Sequence, residues 1–156
     1  MIAIDTCVVS WGILYRIDPQ GRPMVERAVS LLERYQGDEI LVPLPVVVEA
    51  LSGIEVHGHK ELLDELRKPP FVLAGLDEAA TEIAGRLERR RLYEKHKGGL
   101  SHPVQAVKVD ALIAAIAIAR GAKLLFTDNV DDFHKLTLDE AIEIRPLPVL
   151  PTEPPV

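Results

Sequence analysis

The chain has 156 residues, 47% of them hydrophobic and 27% charged, with a formal net charge of −6. That length suits one domain with a single core, and that balance excludes a disordered chain. One cysteine, Cys7, excludes an internal disulfide framework and a cysteine-built zinc site, and the acidic balance counts against a protein that merely coats nucleic acid.

In chain order, "MIAID" predicts a short buried strand that ends at Asp5. "VVSWGILYR" predicts a short helix, and Pro19, Gly21 and Pro23 break the chain after it. Residues 23–36 carry Met24, Ala28, Leu31, Leu32 and Tyr35 at helical spacing, with Gly37 as the stop signal. "EILVP" (39–43) predicts a second strand. Pro45 suits the first turn of the helix that follows, where its missing N–H is not needed. That helix holds "VVVEALS" and ends near Gly53. Residues 56–70 read as a loop and a short amphipathic helix stopped by Pro69 and Pro70.

"FVLAG" predicts a third strand, and Asp77 an N-cap for a helix that runs to Gly98-Gly99. "KVDALIAAIAIAR" is apolar around most of its circumference and predicts a buried helix, opened by Asp110 and ended by Gly121. "KLLFT" (123–127) and "AIEIRPLP" predict the last two strands. Asp128, Asp131 and Asp132 crowd the short loop after the first of them. Residues 149–156 form a Pro-rich C-terminal tail, leaving 1–148 as the domain. Neither a membrane span nor a signal peptide is expected, so the sequence predicts a cytoplasmic protein with no membrane partner.

Short apolar strands alternating with helices predict an α/β fold with a mainly parallel sheet covered on both faces. In such sheets the functional crevice lies beyond the carboxyl ends of the strands. Asp5 and Asp128 both fall at that rim, Glu49 lies about one turn into the helix after the second strand, and Asp110 starts the most buried helix. Taken singly, Asp110 reads as a helix-start residue, Glu49 as a solvated one and the three loop aspartates as a turn. Together they place acidic groups in apolar settings at one end of a sheet. Carboxylates clustered without His or Cys select hard cations such as Mg²⁺ or Mn²⁺, the usual device for phosphate-ester chemistry.

Four motifs in order, "IDT", "VVVEAL", "KVDALIAAIAI" and "LLFTDNVDDF", resemble those of PIN-domain ribonucleases, most closely the VapC-like toxins of toxin–antitoxin pairs. The resemblance covers nearly the whole chain. It implies a three-layer α/β/α sandwich, a Mg²⁺- or Mn²⁺-dependent RNA endonuclease, a homodimer, and a cognate antitoxin that blocks the site. By position it implies Asp5, Glu49 and Asp110 as metal ligands. Asp128 is taken as the fourth carboxylate, with Asp131 next, because Asn129 occupies the position that is acidic in many relatives. Thr6, Thr127 and Asn129 are taken as supporting groups.

"RLERRRLYEKHK" (86–97) reads as a solvated helix face laced by Glu88 and Glu94, or as a phosphate track in which Arg89, Arg90 and Arg91 meet RNA. Cys7 reads as a small core residue, and "HGH" (57–59) as a weak metal signal. Trp11, Leu14 and Tyr15 read as core or as a partner surface. Two other functions remain open at this point: an inactive PIN-like module that binds RNA or protein, and a haloacid-dehalogenase-like phosphatase. The phosphatase reading lacks the second aspartate that such enzymes carry where Cys7 stands.

Overall fold

The computed structural model describes residues 1–14, 22–98 and 104–149. Five strands, β1 (Ile2–Ile4), β2 (Ile40–Pro43), β3 (Phe71–Ala74), β4 (Leu124–Phe126) and β5 (Glu143–Arg145), form one sheet in the order β3-β2-β1-β4-β5. Every pairing is parallel. Helices cover the sheet: α1 (Thr6–Val9), α2 (Arg22–Arg34), α3 (Leu44–Ser52), α4 (His59–Leu66), α5 (Glu78–His96), α6 (Val104–Ala119) and α7 (Val130–Leu136). The α/β architecture expected from the alternating pattern is therefore present.

Strands β1 and β2 are buried along their whole length, which explains why they read as continuous apolar runs. Helix α6 is deeply buried in the core. Ala111, Ile113, Ala114, Ala115, Ile116 and Ala117 are all buried. Its small residues let it lie close to neighbouring elements, and its densest packing is against α5.

The chain builds β1, β2 and β3 outward in one direction, then returns to β1's other side for β4 and β5. The sheet thus has a topological switch between β1 and β4, the point at which open α/β sheets place a crevice beyond the strand ends. The register fixes its geometry: Ile4 pairs with Phe126, and the Asp5 amide donates to the Phe126 carbonyl at 3.0 Å.

Local signals account for several boundaries. Asp5 caps α1, and the helix continues as a π turn over Ser10–Leu14. Gly12 in that turn lies so close to α2 that a Cβ there would meet Leu32 Cδ1 at 2.8 Å. Asp77 caps α5 by accepting from the Ala80 amide at 2.9 Å, as its sequence position predicted. Gly121 closes α6 with φ +74°, a conformation that favours glycine.

Two expectations are corrected. Helix α6 starts at Val104, so Asp110 lies well inside it and not at its opening. A helix-dipole explanation for Asp110 therefore fails, since that effect fades within the first turn. The loop after β4 is only Thr127–Asn129; Asp131 and Asp132 belong to α7, which the sequence reading passed over. The first-turn acids Asp131 and Asp132 and the last-turn His134 and Lys135 complement the dipole of that short helix. Tyr15 and residues 150–156 of the tail lie outside the described residues. Among the described residues no helix is long and apolar enough to cross a membrane.

Candidate metal centre

The carboxyl ends of β1 and β4 deliver Asp5 and Thr127 to the crevice, and their side chains meet there. The buried Thr127 hydroxyl donates to Asp5 Oδ2 at 2.7 Å, while Asp5 Oδ1 accepts from the Thr6 amide at 2.6 Å. Thr127 Oγ1 also accepts from the Asn129 amide at 3.0 Å, which ties the β4–α7 loop to the same point. The Asn129 side-chain amide in turn donates to Asp110 Oδ2 at 2.8 Å. On the other flank the Thr6 hydroxyl donates to Glu49 Oε2. One hydrogen-bonded network therefore joins Glu49, Thr6, Asp5, Thr127, Asn129 and Asp110, drawn from four separate parts of the chain.

The electrostatics of this network are unusual for a folded interior. Asp5 and Asp110 are 7% and 9% exposed, well below what carboxylates ordinarily show. Among the described residues no lysine or arginine forms an ion pair with either. Burial, then the charges of Glu49 and Asp128, push Asp5 up to about 6 against the bonds from Thr127 and Thr6. Burial, then Asp5 and Glu49, push Asp110 up to about 8, with Asp132 adding to the shift and Asn129 opposing it.

The three loop and α7 aspartates separate by environment. Asp128 is exposed at the crevice mouth, and its carboxylate, that of Asp5 and the Cys7 sulfur offer donor atoms all within 4.8 Å of one another. Asp131 is exposed in the first turn of α7. Asp132 is fully buried, acts on Asp110 and lies 3.8 Å from Lys135. It was named in the sequence but left out of the site. The signal that finds it is the helical stripe Asp132, Phe133 and Leu136, which turns inward once α7 is recognised.

The arginine-rich segment lies along α5, away from these contacts. Arg91 is 5% exposed and bonded to Glu88 at 2.7 and 2.5 Å. Arg90 meets Asp139 and the Leu136 carbonyl, and Arg86 meets Glu140 at 3.3 Å. Arg89 is exposed. His57 and His59 join no group of donors suited to a metal among the described residues. Cys7 is half-buried and packs against the core.

Carboxylate and hydroxyl oxygens converge here, and among the described residues neither Asp5 nor Asp110 has a cationic partner. That donor set fits a hard divalent ion such as Mg²⁺ or Mn²⁺. A parallel α/β sheet with acidic groups gathered at its switch point defines an α/β domain whose strand ends could hold a metal ion. The PIN domain family matches residues 2–137, and the chain belongs to that family. The phosphatase alternative is thereby set aside.

Three solved structures share the fold. The crystal structure of FitAcB from Neisseria gonorrhoeae contains a chain 22% identical, with a TM-score of 0.62 over 92% of this chain and 96% of that one. VapBC2 from Rickettsia felis, bound to a DNA fragment from their promoter, matches at 20% identity and a TM-score of 0.64, over 94% and 98%. DNA-bound VapBC from Salmonella typhimurium matches at 17% and 0.59, over 94% and 99%. No curated protein matches the chain.

Proposed function

We propose that this protein is a Mg²⁺- or Mn²⁺-dependent endoribonuclease, the toxin member of a toxin–antitoxin pair. The observation that carries this reading is the linked set Asp5, Glu49 and Asp110 at the switch point of a PIN domain. Asp5, Glu49 and Asp110 would hold the cation, with Asp128 and the buried Asp132 completing the negative field. Asp131, exposed on α7, is the weaker choice for that role. A bound cation supplies charge neutralisation at a phosphodiester and lowers the pKa of water beside it.

The remaining work falls to the chain's own groups. Thr127 fixes the orientation of Asp5, Thr6 that of Glu49, and Asn129 that of Asp110. Groups that orient metal-binding carboxylates in this way tune affinity. RNA would approach across the crevice mouth. Of the three arginines considered for its backbone, Arg89 is the exposed one, while Arg90 and Arg91 are held by Asp139 and Glu88. The unit acting is residues 1–148, as a homodimer in the cytoplasm, held silent by a cognate antitoxin. The fold shared with chains of FitAcB and VapBC supports that partner.

Labelled RNA incubated with Mg²⁺ or Mn²⁺ tests the reading. Wild type cleaves, chelation stops it, and Asp5→Asn lowers cleavage by on the order of a hundredfold or more. Equal cleavage by wild type and Asp5→Asn refutes the metal assignment. Binding of RNA without cleavage by either favours the inactive module. Where a small reading frame encoding a DNA-binding protein adjoins the gene, its co-expression should suppress cleavage.

A further inference from the structure

Cys7 is the one thiol in the chain, and it hydrogen-bonds Asp128 at the edge of the carboxylate network. It sits in the first turn of α1, two residues past Asp5. Its sulfur and carboxylate oxygens of Asp5 and Asp128 all lie within 4.8 Å of one another. The sheet sets that spacing. Asp5 and Cys7 come from the β1–α1 junction, Asp128 comes from the β4–α7 junction, and the Ile4–Phe126 pairing holds the two junctions side by side. One cysteine is too few for a zinc site built from thiolates, but a single thiolate added to an otherwise all-oxygen set shifts its preference from hard ions towards softer ones.

Resting on the reading of this crevice as a divalent-cation centre, we propose that Asp5, Cys7 and Asp128 give it a second mode of occupancy. A thiophilic divalent cation of the Zn²⁺ or Cd²⁺ class binds the Cys7 sulfur and one carboxylate oxygen from each aspartate. In this step the S–H bond breaks, a sulfur–metal bond forms and the proton passes to solvent, with no change in oxidation state. Three protein donors leave a fourth position open, the arrangement that four-coordinate zinc sites with a bound water use. Because Asp5 serves both modes, a soft cation excludes Mg²⁺ or Mn²⁺, and the protein is silenced by the former while it runs on the latter.

Titration of the full chain with Cd²⁺ tests this through the thiolate-to-metal charge-transfer band in the ultraviolet. With a single cysteine, that band can arise only from Cys7. The expected result is a band that saturates with one ion per chain and releases one proton. Cys7→Ser should remove the band and weaken Cd²⁺ about tenfold or more, while changing Mn²⁺ affinity by less than about threefold. Cys7→Ala, with circular dichroism as a check on folding, guards against a defect specific to serine. Asp128→Asn should weaken Cd²⁺ as well. Cd²⁺ bound without a sulfur band, or equally by wild type and Cys7→Ser, overturns the proposal even if Mn²⁺ binds and RNA is cleaved. Failure of wild type to bind any divalent cation overturns the ribonuclease reading together with it.

Discussion

The outer face of α5 and the carboxyl edge of the sheet are both dense in charge, and the chain treats them in opposite ways. On α5 opposite signs meet: Arg86 with Glu82 and Glu140, Arg90 with Asp139, Arg91 with Glu88. At the sheet edge Asp5 and Asp110 are buried with Glu49 and Asp128 nearby, all of one sign, while the buried Asp132 beside them is met by Lys135. The exposed pairs among these contribute roughly 0–1 kcal/mol each, and all of them, the buried Arg91 included, leave little charge for a ligand. Buried like charges cost stability, and the fold tolerates them where a partner from outside can offset the repulsion. Density of charge is thus a poor guide to a binding site. The better guide is charge the protein does not neutralise by itself.

Removing a carboxylate from the edge is the most severe way to break this contrast. Asp110→Asn should lower Mg²⁺-dependent RNA cleavage by on the order of a hundredfold or more. The same change should stabilise the cation-free protein at alkaline pH. A carboxyl whose folded pKa is raised keeps a proton that the unfolded chain gives up. Its contribution is full below the ordinary value near 3.8 and is lost as pH rises through about 6 for Asp5 and about 8 for Asp110. Wild type in chelator should therefore melt at progressively lower temperature from about pH 4 to about pH 8, and Asp110→Asn should flatten the part of that slope above about pH 6. Mg²⁺ or Mn²⁺ should restore the wild-type melting temperature at the alkaline end and do little at the acid end, because ligands must be ionised to bind. A melting temperature that climbs with pH in chelator would sink the account of the edge.

A gentler change separates orientation from charge. Thr127→Val keeps the size and the carboxylates but removes the hydroxyl shared by Asp5 and the Asn129 amide. The buried acceptor and donor left behind should cost about 1–3 kcal/mol in denaturant unfolding. Cation affinity should fall roughly 10- to 100-fold in calorimetry, as for other groups that orient ligands. Unchanged affinity would mean that Asp5 needs no such support.

The smallest effect lies on α5. Arg89→Ala should leave unfolding within about 0.5 kcal/mol of wild type. If Arg89 touches the RNA backbone, the slope of log binding constant against log salt should drop by about 1. An identical slope removes α5 from the RNA path and completes the contrast with the sheet edge.

Much of this comparison could be read before the structure was known. Asp5 is legible because a charged residue ends a buried strand, and Glu49 because it follows the next strand at helical distance. Their convergence follows from a parallel sheet, where strand ends share one rim. Asp110 was found with the wrong surroundings. The apolar run made "KVDALIAAIAIAR" look like the whole helix, although α6 already runs from Val104. Asp132 was obscured for a related reason. Three aspartates within five residues signal a loop by composition, while the inward stripe of Phe133 and Leu136 signals a helix only once tertiary packing rewards it. The pairing on α5 was legible for Arg91 with Glu88, three residues apart. It was invisible for Arg90 with Asp139, which depends on how α5 lies against the chain beyond α7.

The bond between Thr127 and Asp5 spans 122 positions of sequence. During synthesis the ribosome releases Asp5 and Glu49 early, but they have nothing to close against until β4 has emerged and slotted in beside β1. A growing or prematurely terminated chain is therefore an incomplete cation centre, whatever its other elements have done. A protein proposed to cleave RNA thus keeps its ligand set open until β4 has joined β1.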